Sequence, residues 1–191
     1  AELAPSPNLV GVRQAWTARL PAVGFPLQVN VQGQQLTLAG SDGTVVTLDG
    51  ASGRELGRAS VGAPLTAGVG SDGRVSAVVT RETQLVALDG GQPLWRQRLA
   101  TQSYTAPLVA GGRVFVLGAD RSLTAFDARN GARIWHLDRP AEPLVLRQAG
   151  MLQAAGNTPV AGPAPAALPE WGTVDRALGA SIVRGLVPAP A

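Results

Sequence analysis

The sequence contains neither cysteine nor lysine, and only one histidine, one methionine and one tyrosine. Without cysteine there is no disulfide framework, no thiolate zinc site and no catalytic thiol. Without lysine there is no Walker A loop. A single histidine, His136, cannot build a multi-histidine metal centre. No Gly-x-Ser-x-Gly elbow is present, and no Gly-x-Gly-x-x-Gly opens a helix. No run approaches the roughly 18 apolar residues that span a bilayer. The opening AELAPSPNLV lacks the basic start and apolar centre of a signal peptide, which fits a cytosolic start or a mature, trimmed secreted one. These absences leave few routes to catalysis.

At 191 residues, 45% hydrophobic and 15% charged, the chain has the composition of a folded domain with a real core. Its 16 basic residues are all arginine, are spread singly from Arg13 to Arg184, and leave a formal net charge of +3. A nucleic-acid surface would gather them into a patch or stripe. These read as isolated solvated charges.

A repeat organises the chain. VVTLDGASGRELG (Val45 to Gly57), LVALDGGQPLW (Leu85 to Trp95) and LTAFDARNGARIW (Leu123 to Trp135) each run from alternating apolar residues through Asp and a Gly-containing turn into a second strand. The middle copy is two residues shorter between Asp and Trp, and the first copy has Gly57 at the tryptophan position. With Trp16 as an earlier marker, the steps 16 to 57, 57 to 95 and 95 to 135 are 41, 38 and 40 residues. FPL (Phe25 to Leu27), APL (Ala63 to Leu65), APL (Ala106 to Leu108) and EPL (Glu142 to Leu144) keep similar time. Between markers lie paired short strands, such as Val114 to Leu117 and Leu123 to Phe126. A unit of about 40 residues with four short antiparallel strands has the size of a propeller blade. Asp42, Asp49, Asp72, Asp89 and Asp127 fall in turns, and four of them precede glycine. The tryptophans are expected to wedge each outer strand against the neighbouring blade.

The pattern Ala-x-Asp-x-x-x-Gly-x-x-x-Trp at Ala125 to Trp135 resembles the tryptophan-docking repeat of pyrroloquinoline-quinone-type propellers. Within that superfamily, residues 9 to 156 resemble the BamB family, lipoprotein subunits of the outer-membrane β-barrel assembly machinery. The resemblance implies an all-β, propeller-like fold, about four blades of four antiparallel strands where the family has eight. It implies a non-enzymatic scaffold without a cofactor, on the periplasmic face of the outer membrane. The family's lipid-bearing cysteine is absent from this chain. In the family a Leu-x-Leu-Arg segment on an inter-blade loop contacts a POTRA domain of BamA. Here LVLR places Leu144, Leu146 and Arg147 in that pattern. Alternating leucines also suit a buried blade strand, so the residues alone leave both readings open. The family's acidic partner loop has no full match: TVDRALGASIV has Asp175 and Arg176 but no aspartate pair.

Residues 1–8 read as a linker, 9–156 as propeller-like repeats, and 157–191 as an atypical Pro/Ala-rich segment, either a degenerate blade or a cap. Prolines 159, 163, 165 and 169 argue against regular strands there, and Val174 to Leu186 fits either a short helix or an irregular strand. Trp171 follows Trp135 by 36 residues without an Asp-Gly turn before it. Open first and last blade edges would favour self-association or completion by another chain. Two alternatives remain: a fragment or divergent relative of a quinone-dependent dehydrogenase, and a propeller interaction module with another partner.

Overall fold

A computed structural model describes residues 14–138, 150–155, 158–163, 172–174 and 183–185, and every regular element among them is a β-strand. The strands form four antiparallel sheets of four, each running in chain order from one edge to the other. The first blade holds β1 (Asn30–Gln32), β2 (Gln35–Ala39), β3 (Thr44–Asp49) and β4 (Glu55–Ser60). The second holds β5 (Gly70–Ser71), β6 (Val75–Val79), β7 (Gln84–Asp89) and β8 (Gln92–Arg98). The third holds β9 (Leu108–Ala110), β10 (Arg113–Leu117), β11 (Leu123–Asp127) and β12 (Arg133–Leu137). The fourth holds β13 (Gly150–Ala155), β14 (Thr158–Pro163), β15 (Gly172–Val174) and β16 (Val183–Gly185). The repeat is a propeller-like blade.

Side chains alternate between the two faces of a strand, so a sheet packed on both faces needs apolar residues at consecutive positions. The second blade meets that condition. Val75, Ala77, Val79, Leu85 and Ala87 pack with Val109, Val114, Val116 and Phe126 of the third blade. Val78, Val86 and Leu88 pack with Ala39, Val45, Ala59 and Val61 of the first. Of the second-blade residues only Val75 is more than 1% exposed. Each such valine or leucine contributes about 1.5–3 kcal/mol through burial, so these faces set the blade order. The third blade's far face packs Phe115, Leu123 and Ala125 with Leu152 and Trp135. On the first blade, Leu38, Val46 and Leu48 are covered by Trp16, Ala18 and Leu20, which belong to no strand.

The three central hairpins close by one bonding scheme. Gly43 N–H donates to Gly40, Thr83 N–H to Thr80 and Arg121 N–H to Gly118, at 3.2, 3.1 and 3.0 Å. The donor residue has positive φ in all three: 96° at Gly43, 61° at Thr83 and 66° at Arg121. Only the first blade uses the residue that adopts this conformation without strain.

The fourth sheet corrects one expectation. Pro159 and Pro163 lie within β14, yet they pair only with β13, opposite Ala154 and Gly150. Val160 and Ala161 alone pair on both sides, with Thr173 and Gly172 of β15. The prolines thus stand where the strand has a single neighbour, and the second ladder does not need their missing N–H. The stretch from Val174 contributes strand residues at Val174 and at Val183–Gly185.

Candidate functional site

Leu144, Leu146 and Arg147 lie outside the described residues, as do Trp171, Asp175 and Arg176. The first three continue the EPL marker, and earlier copies place its leucine differently. Leu65 is 1% exposed and Leu27 54%, so this position does not impose one environment.

The turn aspartates serve their own turns. Asp42 accepts from Thr44 N–H at 2.9 Å, Asp49 from Ser52 N–H at 2.8 Å and Asp127 from Arg129 N–H at 2.8 Å. Asp72 accepts from the N–H groups of Arg74 and Val75, at 3.0 and 2.8 Å. Hydrogen bonds from Thr44 and from Ser52 hold the carboxyls of Asp42 and Asp49 below the usual aspartate range. Asp89 instead pairs with Arg74 at 3.2 Å. His136, on β12, meets Thr124 Oγ1 through Nδ1 at 2.7 Å and Asp138 Oδ1 through Nε2 at 2.8 Å. Among the described residues no three His, Asp or Glu side chains gather as a metal site would require.

The repeats do converge at the blade junctions. Trp95, on the second blade, donates its indole N–H to the carbonyl of Ala128 on the third at 2.9 Å. Its ring lies over Gly131 (φ +73°), where an added Cβ would stand 2.7 Å from Cδ2 and Cε3. It also packs against Phe126, with ring centroids 6.4 Å apart. Trp16 repeats this on the first blade: its indole donates to Gly50 at 3.0 Å, and it lies over Gly53 (φ +69°), with an added Cβ 2.5 Å from its ring. In both cases the acceptor follows the turn aspartate and the bare glycine lies four residues after it. The Asp-x-x-x-Gly turn is therefore a seat for the preceding tryptophan.

Between the first and second blades both halves of that device are missing. Gly57 opposes Thr47 as Trp95 opposes Ala87 and Trp135 opposes Ala125, so it occupies the tryptophan position. A Cβ on Gly57 would meet nothing within 4 Å. The facing turn is the short one, Asp89-Gly90-Gly91-Gln92, with no glycine four residues after its aspartate. A cavity of about 200 Å³ lies here, lined by Thr47, Leu56 and Gly57 on one blade and Leu88, Gly90 and Gly91 on the other. The two sequence irregularities thus meet at one junction.

Register also shifts once in each outer hairpin, always beside the tryptophan position. The extra residues are Leu56, Leu94 and Ile134, which are 44%, 43% and 43% exposed. A bulge re-aims its side chain, and here it puts one aliphatic group on the rim of each blade. This row does not follow from the repeat pattern. Its signal was an aliphatic residue immediately before Gly57, Trp95 and Trp135.

The model of the family described as outer membrane protein assembly factor BamB matches residues 41–178. The protein of that name from Bordetella pertussis is 36% identical over 164 residues, which cover 85% of this chain and 42% of that protein. The chain spans 36–42% of the length of the curated relatives it matches. The crystal structure of BamB from Moraxella catarrhalis superposes with a TM-score of 0.66 at 23% identity, covering 84% of this chain and 48% of that one. A quinohemoprotein alcohol dehydrogenase from Comamonas testosteroni superposes with a TM-score of 0.54 at 19% identity, covering 75% of this chain and 29% of that one, a likeness of fold alone.

Proposed function

The chain belongs to the BamB family of outer membrane protein assembly factors, and we propose that it acts as a rigid, non-enzymatic scaffold in that assembly. The observation carrying this reading is the family match over residues 41–178, a range that includes the LVLR segment. Its place of work is the periplasmic face of the outer membrane, and its partner is a POTRA domain of BamA. Leu144, Leu146 and Arg147 form the contact: alternate leucines along an extended segment present one apolar face, and the guanidinium can pair bidentately with a carboxylate.

Scaffolding suits the physics of the blades. Sheets packed on both faces and locked by tryptophans hold their loops still, which lowers the ordering cost of binding. A dehydrogenase role has no comparable support, because the aspartates of the described blades are engaged in turns or, for Asp89, with Arg74. Self-association is a second part of the proposal. Leu27, Val29 and Val31 alternate along one exposed face, at 54%, 46% and 58% exposure, and favour association with another copy. A strictly monomeric species in concentrated solution contradicts that part.

The functional reading is tested by tagging this chain in its own bacterium and purifying it from detergent-solubilised membranes. Co-purification of BamA, reduced by Arg147→Ala, supports the reading. Purification without BamA contradicts it.

A further inference from the structure

We infer that the junction between the first and second blades is a binding site for an aromatic side chain of another protein, carried beside a carboxylate. Trp16, ahead of the first strand, and Trp95, on β8, each reach the turn of the following hairpin, each with its indole N–H on a carbonyl. Between the first and second blades Gly57 leaves that place open, and the cavity of about 200 Å³ lies beside it. Thr47, Leu88, Gly90 and Gly91 supply its walls. Aromatic groups bring large apolar area at small conformational cost and are favoured anchors in such recesses.

The lip supplies the charge preference. Arg58 stands on the first blade and Arg74 on the second, both at the cavity. Arg58 pairs with Glu55 at 2.7 Å and is 47% exposed; Arg74 pairs with Asp89 at 3.2 Å and is 81% exposed. The Arg74 pair, on so exposed a side chain, is loosely held, whereas Arg58 grips both oxygens of Glu55, at 2.9 and 2.7 Å. An incoming carboxylate can therefore pair with Arg74 while its neighbouring ring enters the cavity. Leu56, on the rim, gives the approaching segment an apolar contact before it seats.

This site is separate in sequence from Leu144 to Arg147 and stands independently of the BamA reading; Arg147→Ala should leave it unchanged. The test is a titration of the isotopically labelled chain with N-acetylated Glu-Trp-Glu amide, beside Glu-Ala-Glu amide as control. The tryptophan peptide is expected to shift the backbone amides of Gly57, Gly90 and Gly91 saturably, with no such response to the alanine peptide. Gly57→Trp, which fills the cavity from within, should weaken binding about tenfold or more. Arg74→Glu, at an exposed position that cannot upset the core, should weaken it several-fold and remove its salt dependence; it decides the matter if Gly57→Trp does not fold. Absence of any shift at millimolar peptide overturns the proposal. So does binding that neither variant affects. A self-association abolished by Gly57→Trp would identify a second copy as the occupant and also overturn it.

Discussion

Trp95 sits on the bare α-carbon of Gly131, in the next blade, so closely that a β-carbon there would stand 2.7 Å from its ring. The glycine takes positive φ so that its turn can bond Gly131 N–H to Asp127 at 2.9 Å, and the turn offers Ala128 to the indole. Gly131→Ala should therefore destabilise the protein by about 2–4 kcal/mol, adding steric overlap to left-handed backbone strain. Urea denaturation measures the loss, and a shift below 1 kcal/mol would contradict this docking.

Thr83 marks the opposite case, a β-branched residue held at φ 61° where the first blade has Gly43. Relief of that strain outweighs the extra freedom glycine gives the unfolded chain. Thr83→Gly is expected to stabilise by about 1 kcal/mol, seen as a rise in the denaturation midpoint. A fall would show that the Thr83 side chain contributes more than its backbone costs.

Acid should unfold the protein through its turns. Hydrogen bonds from Thr44 and Ser52 lower the carboxyls of Asp42 and Asp49 from the ordinary 3.8. Asp120 is also lowered: its partial burial acts in the opposite direction, and bonds from Ser122 and Thr101 outweigh it. The unfolded chain therefore takes up these protons at higher pH than the folded one. Stability is complete above the ordinary carboxylate range and falls as pH drops through the lower folded values. Thermal midpoints recorded from pH 7 down to pH 2.5 should be level at first and then decline below about pH 4. Asp49→Asn should make the decline shallower.

Much of this fold was legible because blade physics writes itself locally. Continuous apolar runs such as Leu85 to Leu88 mark strands buried on both faces, and Asp-Gly pairs mark turns. Gly57 and the shortened Asp89 turn were visible as separate irregularities. That they face each other follows only once the first blade is laid on the second, because repeat position in sequence does not name the opposing surface. The bulged Leu56, Leu94 and Ile134 were hidden for another reason. A register shift moves one residue out of alternation, and periodicity alone then assigns the side chain to the wrong face. Pro159 was misleading because proline is excluded from a ladder only where a neighbour needs its N–H. For Leu144 and Leu146, alternation fits a buried strand and an exposed anchor equally well.

The most direct test of the scaffold account is calorimetric titration of this protein with the POTRA region of its own species' BamA, beside the Arg147→Ala variant. The account expects saturable binding by the natural sequence. Loss of the charged anchor should weaken that binding by about 2 kcal/mol, or about thirtyfold. Equal binding by both proteins would contradict the assigned contact. No binding by either would contradict the partner itself.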